Sequence, residues 1–263
     1  LYQPGSTFKV ITSVAAIESG KVGKSYDCSG STVIDGYVLN DYNKTSHGKI
    51  DLTGAFINSC NPYFAEKGIE VGIDKLEEVA QKFYMNKSIP FDLTVKKSSF
   101  PNRSNLGKTD IAAASIGQGE VLVTPLHMAM IASAIANKGE MVKPILVKEI
   151  ISPEGRVIDF NGTEVISQAT DLFTANEVKN MMVEVVQRGT GKNARINGVK
   201  VAGKTGTAQN PSDKDHAWFI GFAPADNPKI AIAVILEQEG SSGGTAAAPI
   251  GRKIILEALN TIN

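Results

Sequence analysis

The hydrophobic pattern changes period between Val199 and Leu259, and no other feature narrows the possible folds as much. Residues 199–209, 217–223 and 229–238 read as three successive strands, with short turn-like links between them. Links that short join antiparallel neighbours, since a parallel pair needs a long crossover. The glycine-rich stretch 240–244 then leads into a helical pattern over 246–259. Helices come first, then an antiparallel meander, then a closing helix. That order makes an α+β, or layered α/β/α, body. No internal repeat and no linker divides it.

Upstream, the first helical pattern starts at Ser6, just after Pro4-Gly5. Val10, Ile11, Val14 and Ile17 line one side, and Ser19-Gly20 ends it. Residues 21–50 are polar and turn-rich, with short strands among Val33, Ile34 and 37–39. A second helical stretch covers 52–58, and Asn61-Pro62 reads as a cap and a helix opening. Asp74-Lys75-Leu76-Glu77 resembles a capping box for a helix with Ile73, Leu76, Ala80 and Phe83 inward. Residues 86–110 read as polar loop. Thr124-Pro125 opens the clearest helix and Lys138-Gly139 closes it. Residues 142–150 and 156–160 suggest a strand, a turn and a strand. Thr174-Ala175-Asn176-Glu177 caps a helix with Val178, Met181, Met182 and Val185 inward.

Composition removes several function classes. Lys plus Arg and Asp plus Glu number 27 each, and a net charge of zero argues against nucleic acid and against a polybasic membrane patch. No run of 18 apolar residues occurs, so no stretch of this sequence reads as a membrane-spanning helix. Two cysteines, Cys28 and Cys60, are too few for a disulfide framework or a structural zinc site. One bridge and two buried thiols both remain open. His47, His127 and His216 show no metal-ligand spacing, so no metal is expected. The chain opens on Leu1-Tyr2-Gln3-Pro4-Gly5 without Met, and reads as a fragment of something longer.

Three short motifs can carry chemistry. In Ser6-Thr7-Phe8-Lys9, a helical spacing of three puts a hydroxyl and an amine on one face. Serine attacks only when a base takes its proton, and lysine is that base only if its pKa falls by about 3 units, roughly 4 kcal/mol. Burial and a second cation are the two ways to achieve this. Taken alone, Ser6 reads better as a helix cap and Lys9 as a solvated residue. Ser59-Cys60-Asn61 lies between two helices, and by itself Asn61 reads best as the cap of the helix at Pro62. Lys204-Thr205-Gly206-Thr207 lies in a strand, where Gly206 admits a close backbone neighbour such as an extended ligand.

Two further patterns compete. Gly198 through Gly203-Lys204-Thr205 satisfies the phosphate-loop spacing. That loop needs a helix directly after the Lys-Thr pair, and Gly206, Thr207 and Pro211 follow instead. Gly240-Ser241-Ser242-Gly243-Gly244 matches a nucleophile elbow, but no His or Asp occurs after Gly244 to complete a triad. A flexible turn is the remaining reading there.

Ser-x-x-Lys, Ser-x-Asn and Lys-Thr-Gly in that order form the signature of penicillin-recognising serine acyltransferases. The surrounding text sharpens the match. Pro4-Gly5-Ser6-Thr7-Phe8-Lys9, Ser115-Ile116-Gly117-Gln118-Gly119, Lys204-Thr205-Gly206-Thr207-Ala208 and Ala217-Trp218-Phe219-Ile220-Gly221-Phe222-Ala223-Pro224 resemble transpeptidase domains of penicillin-binding proteins. The ending, Gly243-Gly244 through Ala247-Ala248-Pro249-Ile250-Gly251-Arg252, looks most like class B proteins of the A type from Gram-positive bacteria. The resemblance covers residues 1–263 as one transpeptidase domain. It implies a β-lactamase/transpeptidase-like fold with a central antiparallel sheet, flanking helices and an all-helical region.

The resemblance also implies roles. Ser6 would be the nucleophile toward D-Ala-D-Ala stem peptides and β-lactams, and Lys9 its general base. Ser59 would pass a proton to the leaving amine, Lys204 would supply positive potential, and Asn61 would hold the substrate amide and orient Lys9. The N–H groups of Ser6 and Thr207 would form the oxyanion hole. Thr205, Gly206 and Thr207 would line the substrate strand, with the two threonine hydroxyls on its carboxylate. No metal or organic cofactor is implied. The setting would be the extracytoplasmic face of a bacterial membrane, with an N-terminal anchor and cell-wall synthesis proteins as partners. Relatives carry sheet strands before the serine, so the resemblance implies that this chain is the C-terminal part of such a domain. Its nucleophilic helix would then sit at a frayed end. A class A β-lactamase needs a deacylating Glu-x-x-Leu-Asn loop between the second and third motifs, and this sequence has none there. A penicillin-sensing receptor, a wall-binding module and a phosphate-loop hydrolase at Gly198–Thr205 are the competing functions.

Overall fold

The computed structural model describes residues 1–23, 25–102, 106–210 and 214–262. A one-turn 3-10 helix, Gly5–Phe8, runs directly into α1, Lys9–Glu18. Four short strands follow: β1 Tyr26–Cys28, β2 Ser31–Ile34, β3 Tyr37–Asn40 and β4 Gly48–Ile50. β2 and β3 form a hairpin around Asp35-Gly36, and β1 pairs with β4. Then come α2 Leu52–Asn58, α3 Asn61–Val71, α4 Ile73–Lys82, α5 Lys108–Ser115 and α6 Pro125–Ala136. β5 Glu140–Val142 pairs with β8 Val165–Gln168, enclosing the hairpin of β6 Glu149–Ile151 and β7 Val157–Phe160. α7 spans Leu172–Arg188. The meander is β9 Ala202–Ala208, β10 His216–Ala223 and β11 Ile230–Leu236, and α8 Ala247–Ile262 closes the described chain.

The meander pairs antiparallel in the order β11-β10-β9. Its central strand is buried throughout and alternates between two cores. Trp218, Ile220 and Phe222 join the helical core with α1, α6 and α7, whereas Ala217, Phe219 and Ala223 join a smaller core under α8. That alternation is the two-residue period of a strand covered on both faces.

Several expectations needed adjustment. α1 is not one-sided: Lys9 through Ala16 are all buried, because the helix runs through the middle of the helical body. Its start is not frayed either. Tyr2 and Val123 exchange both backbone hydrogen bonds, and Gly5 N–H donates to the Gly117 carbonyl at 2.9 Å. The Trp218 indole N–H also donates to the Gln3 carbonyl at 3.0 Å. α4 begins at Ile73, with Asp74 inside its first turn and no side-chain cap at Gly72. Asp171, not Thr174, caps α7. Helix α5 lies partly within the stretch read as loop, and Arg103, Ser104 and Asn105 of that stretch lie outside the described residues.

Candidate active site

Ser6 sits inside the 3-10 turn and Lys9 begins the α-helix, so one continuous helical segment carries both. The turn is tight because Gly5 takes a φ of +53°, and a methyl there would lie 2.6 Å from the Thr207 carbonyl oxygen. Only glycine fits that position. Thr7 closes the turn by donating its hydroxyl to the Pro4 carbonyl at 2.7 Å. Among the described residues the Ser6 hydroxyl makes no hydrogen bond, and it is half-buried at the surface of the site.

Ser59-Cys60-Asn61 links α2 to α3. Ser59 ends α2 in the left-handed conformation (φ 61°, ψ 36°), and Pro62 lets a new helix start at once. The capping role expected for Asn61 is not what the structure shows. Cys60 occupies the cap position without a side-chain bond, and Asn61 is the first residue of α3. Its side chain turns inward: Oδ1 accepts from Lys9 Nζ at 2.7 Å, and Nδ2 donates to the Asn40 carbonyl at 3.3 Å.

Lys204 projects from β9 into the same space. Its amine donates to Ser59 Oγ at 2.8 Å and to the Thr205 carbonyl at 3.0 Å, and it lies 5.6 Å from the centre of the Phe56 ring. Lys9 donates to the Ser59 carbonyl at 2.6 Å, reaches Ser59 Oγ at 3.4 Å, and lies 5.4 Å from the Phe64 ring centre. Two fully buried amines therefore meet on one hydroxyl. Thr205 shares a 2.6 Å hydroxyl contact with Thr190, and the Thr207 hydroxyl accepts from Gly243 N–H at 3.4 Å.

Gly206 does admit a close neighbour, but the neighbour is this chain. A methyl there would lie 2.8 Å from the Pro4 carbonyl oxygen and 3.0 Å from Thr7 Cγ2. The serine's turn therefore packs directly on the Lys-Thr-Gly strand. Gly243, read as part of a flexible turn, packs against the Gly206 backbone and the Trp218 carbonyl. Lys204 and Thr205 sit in mid-strand, so the phosphate-loop reading has no helix N-terminus to use.

Burial comes first in lowering both lysine pKa values. Lys9 falls to about 8, with Asp41 and Cys60 opposing. Lys204 falls well below its usual value, through burial and then the charge on Lys9, with Asp41 opposing. From sequence the repulsion was expected on Lys9; the structure registers it on Lys204. Such a pair titrates as a unit. A neutral amine has two N–H donors and one lone pair. On a neutral Lys9 the Ser59 carbonyl and Asn61 Oδ1 use both donors, and the lone pair is left on the side of the longer 3.4 Å contact to Ser59 Oγ.

Two residues behind the site carry no signal in the sequence, Asp41 and His47. Asp41 is buried, accepts from Tyr42 and Asn61 N–H through Oδ1, and meets His47 Nε2 at 2.7 Å through Oδ2. Asn40-Asp41 reads as an ordinary turn, and only folding brings it behind Asn61.

A serine on a helical turn, two buried amines sharing a second serine, and an edge strand alongside have the chemistry that serine acyl transfer needs. The chain belongs to the penicillin-binding protein transpeptidase domain family, which it matches over residues 1–256. It is 37% identical to "Peptidoglycan D,D-transpeptidase PbpA" of Mycolicibacterium smegmatis, over 98% of this chain and 55% of that protein. It is also similar to the D,D-transpeptidase domain of a peptidoglycan glycosyltransferase from Eggerthella lenta, with 33% identity and a TM-score of 0.91, covering 100% of this chain and 66% of that one. A penicillin G acyl-enzyme complex of penicillin-binding protein A from M. tuberculosis gives 34% identity and a TM-score of 0.89, over 98% and 61%. The chain thus spans about half the length of curated relatives such as this PbpA.

Proposed function

We propose that this chain carries the acylating site of a peptidoglycan D,D-transpeptidase and is acylated by β-lactams at the same serine. The observation that carries the reading is the meeting of Lys9 and Lys204 on the Ser59 hydroxyl, with Asn61 holding Lys9. Ser6 Oγ attacks the carbonyl of the penultimate D-Ala while its proton passes to Lys9. The developing oxyanion is held by the N–H groups of Ser6 and Thr207, each worth roughly 3–4 kcal/mol. The C–N bond to the terminal D-Ala then breaks, and the leaving nitrogen takes a proton from Ser59, which the amines replenish. Thr205 and Thr207 bind the carboxylate beside Gly206, and Lys204 supplies the positive field. An amine from a second stem attacks the ester, releases Ser6 and completes the cross-link.

Among the described residues no helix is long and apolar enough to cross a membrane. The reading sets the site on the extracytoplasmic side, where its substrate is. The parent protein is held there by an N-terminal segment and works with other cell-wall synthesis proteins. Intact mass after exposure to penicillin G tests it. A lasting adduct of the whole antibiotic mapped to Ser6, absent in Ser6→Ala, supports the proposal. Transfer of the acyl group from a thioester to a D-amino acid separates a transpeptidase from a receptor. Rapid hydrolysis of a chromogenic cephalosporin points to a β-lactamase, and no covalent adduct at all overturns the reading.

A further inference from the structure

The residue between Ser59 and Asn61 belongs to a second cluster. Cys28 ends β1, Asp41 follows β3, His47 precedes β4 and Cys60 opens α3. One sulfur, nitrogen or oxygen from each lies within 4.8 Å of all the others. Both thiols are fully buried, and the side chains of Asp41 and His47 are only 3% and 15% exposed. The backbone around them is tied down. His47 N–H and the Ser46 hydroxyl both donate to the Cys28 carbonyl, at 3.1 and 2.8 Å, and Asp41 N–H donates to the Gly30 carbonyl at 2.9 Å.

We propose that Cys28, Asp41, His47 and Cys60 form a closed tetrahedral site for a structural zinc ion beneath the Ser59–Asn61 turn. Two thiols, an imidazole and a carboxylate are the donor types zinc prefers, and four protein ligands leave no open position for catalysis. The spacing along the chain matches no zinc motif, which is why the sequence pointed to no metal; the convergence comes from the β1–β4 pairing and the approach of α3. Tetrahedral zinc needs edges of about 3.8 Å between sulfurs and about 3.3 Å between nitrogen and oxygen. The Cys28–Cys60 sulfurs are 3.1 Å apart and the Asp41–His47 atoms 2.7 Å, so an entering ion spreads the first pair by about 0.7 Å and the second by about 0.6 Å. A disulfide would instead draw the sulfurs together by about 1 Å and leave the adjoining Asp41–His47 pair outside the cross-link.

The location gives the ion its effect. Cys60 follows Ser59, whose left-handed backbone is uncommon for a non-glycine residue, and precedes Asn61, whose N–H already bonds to Asp41 at 3.2 Å. Zinc held by Asp41 and Cys60 would fix the turn that carries both polar side chains facing Lys9. Metal binding itself does not rest on the transpeptidase reading, so the two fail separately.

The test uses untagged protein purified without chelator. Elemental analysis is expected to give about one zinc per chain, falling at least tenfold in Cys28→Ser and in His47→Gln. Because those variants can misfold, the wild-type protein is also stripped with a strong chelator. Tm is expected to fall by roughly 5 °C or more and to recover with added ZnCl2. Replacement by Co²⁺ should give a thiolate-to-cobalt charge-transfer band. Zinc-free protein with two reactive thiols and an unchanged Tm overturns the proposal. So does an intact mass two hydrogens short, which marks a Cys28–Cys60 disulfide.

Discussion

At the scale of single residues, the site is governed by where protons sit. Lys9 faces Lys204 from β9, Asn61 and Phe64 from α3, Ser59 from the turn, and the charge of Asp41 behind them. Its pKa of about 8 lies below the ordinary 10.5 chiefly because the amine is buried. A base acts in its neutral form, so acylation of Ser6 should rise with pH and level off above about 8. Below that midpoint the rate should fall about tenfold per pH unit. The second-order rate of β-lactam acylation, measured from pH 6 to 10, checks this, and a flat profile would remove Lys9 as the base. The same shift has a stability sign. The unfolded chain holds the Lys9 proton up to about 10.5 and the folded chain only to about 8, so stability contributed by this group rises with pH across that window.

At the scale of elements, the site depends on how closely the Ser6 turn lies against β9. Gly206→Ala would push a methyl to 2.8 Å from the Pro4 carbonyl oxygen and 3.2 Å from Thr7 N, both within the turn that carries Ser6. Overpacking of this kind costs about 1–3 kcal/mol. The larger effect should be on chemistry, with acylation slowed roughly 100-fold, since misplacement by about an ångström is enough for that. Gly162→Ala, whose nearest neighbour is Phe160 Cε1 at 3.4 Å, serves as the control and should change neither. Acylation rates and urea midpoints of the two variants decide it. These elements were unevenly legible in the sequence. α6 carried its cap, its first-turn proline and its closing glycine in the chain itself, and the meander carried its own two-residue period. β1 pairs with β4 around the β2–β3 hairpin and the turns beside it, and β5 with β8 around an inserted hairpin, so no local pattern announced either. The site divides in the same way. Ser6, Lys9, Ser59, Asn61 and Lys204 stand in short recognisable motifs. Asp41 reaches Asn61, and Thr190 reaches Thr205, only through elements distant in sequence, and the Asp41–His47 contact six residues apart follows no recognisable motif.

At the scale of the whole molecule, the sheet separates two cores, and only one of them faces the chemistry. Phe219 points away from the site, fully buried in the core under α8. Its ring lies in a slot where three glycines leave room: a methyl on Gly203 would lie 2.5 Å from Cζ, one on Gly251 would lie 2.5 Å from Cδ1, and one on Gly221 would lie 3.2 Å from Cε1. The ring therefore sets the spacing between α8 and β10. Gly251→Ala should force the helix outward and destabilise the fold by about 1–3 kcal/mol, and Phe219→Ala should cost about 3–5 kcal/mol. The two effects share one space, so they should not add. A methyl on α8 partly fills the cavity that loss of the ring opens, and the double variant should be more stable than the sum of the single changes predicts, by at least about 0.5 kcal/mol. Urea unfolding of the four proteins measures the coupling. Acylation of Ser6, read well below each midpoint, should stay within about twofold of the parent, because Lys204 and Gly206 reach the site from the opposite face of the sheet. Additive losses would mean that α8 is not seated by Phe219. A parallel loss of acylation would mean that the two cores are coupled through β9.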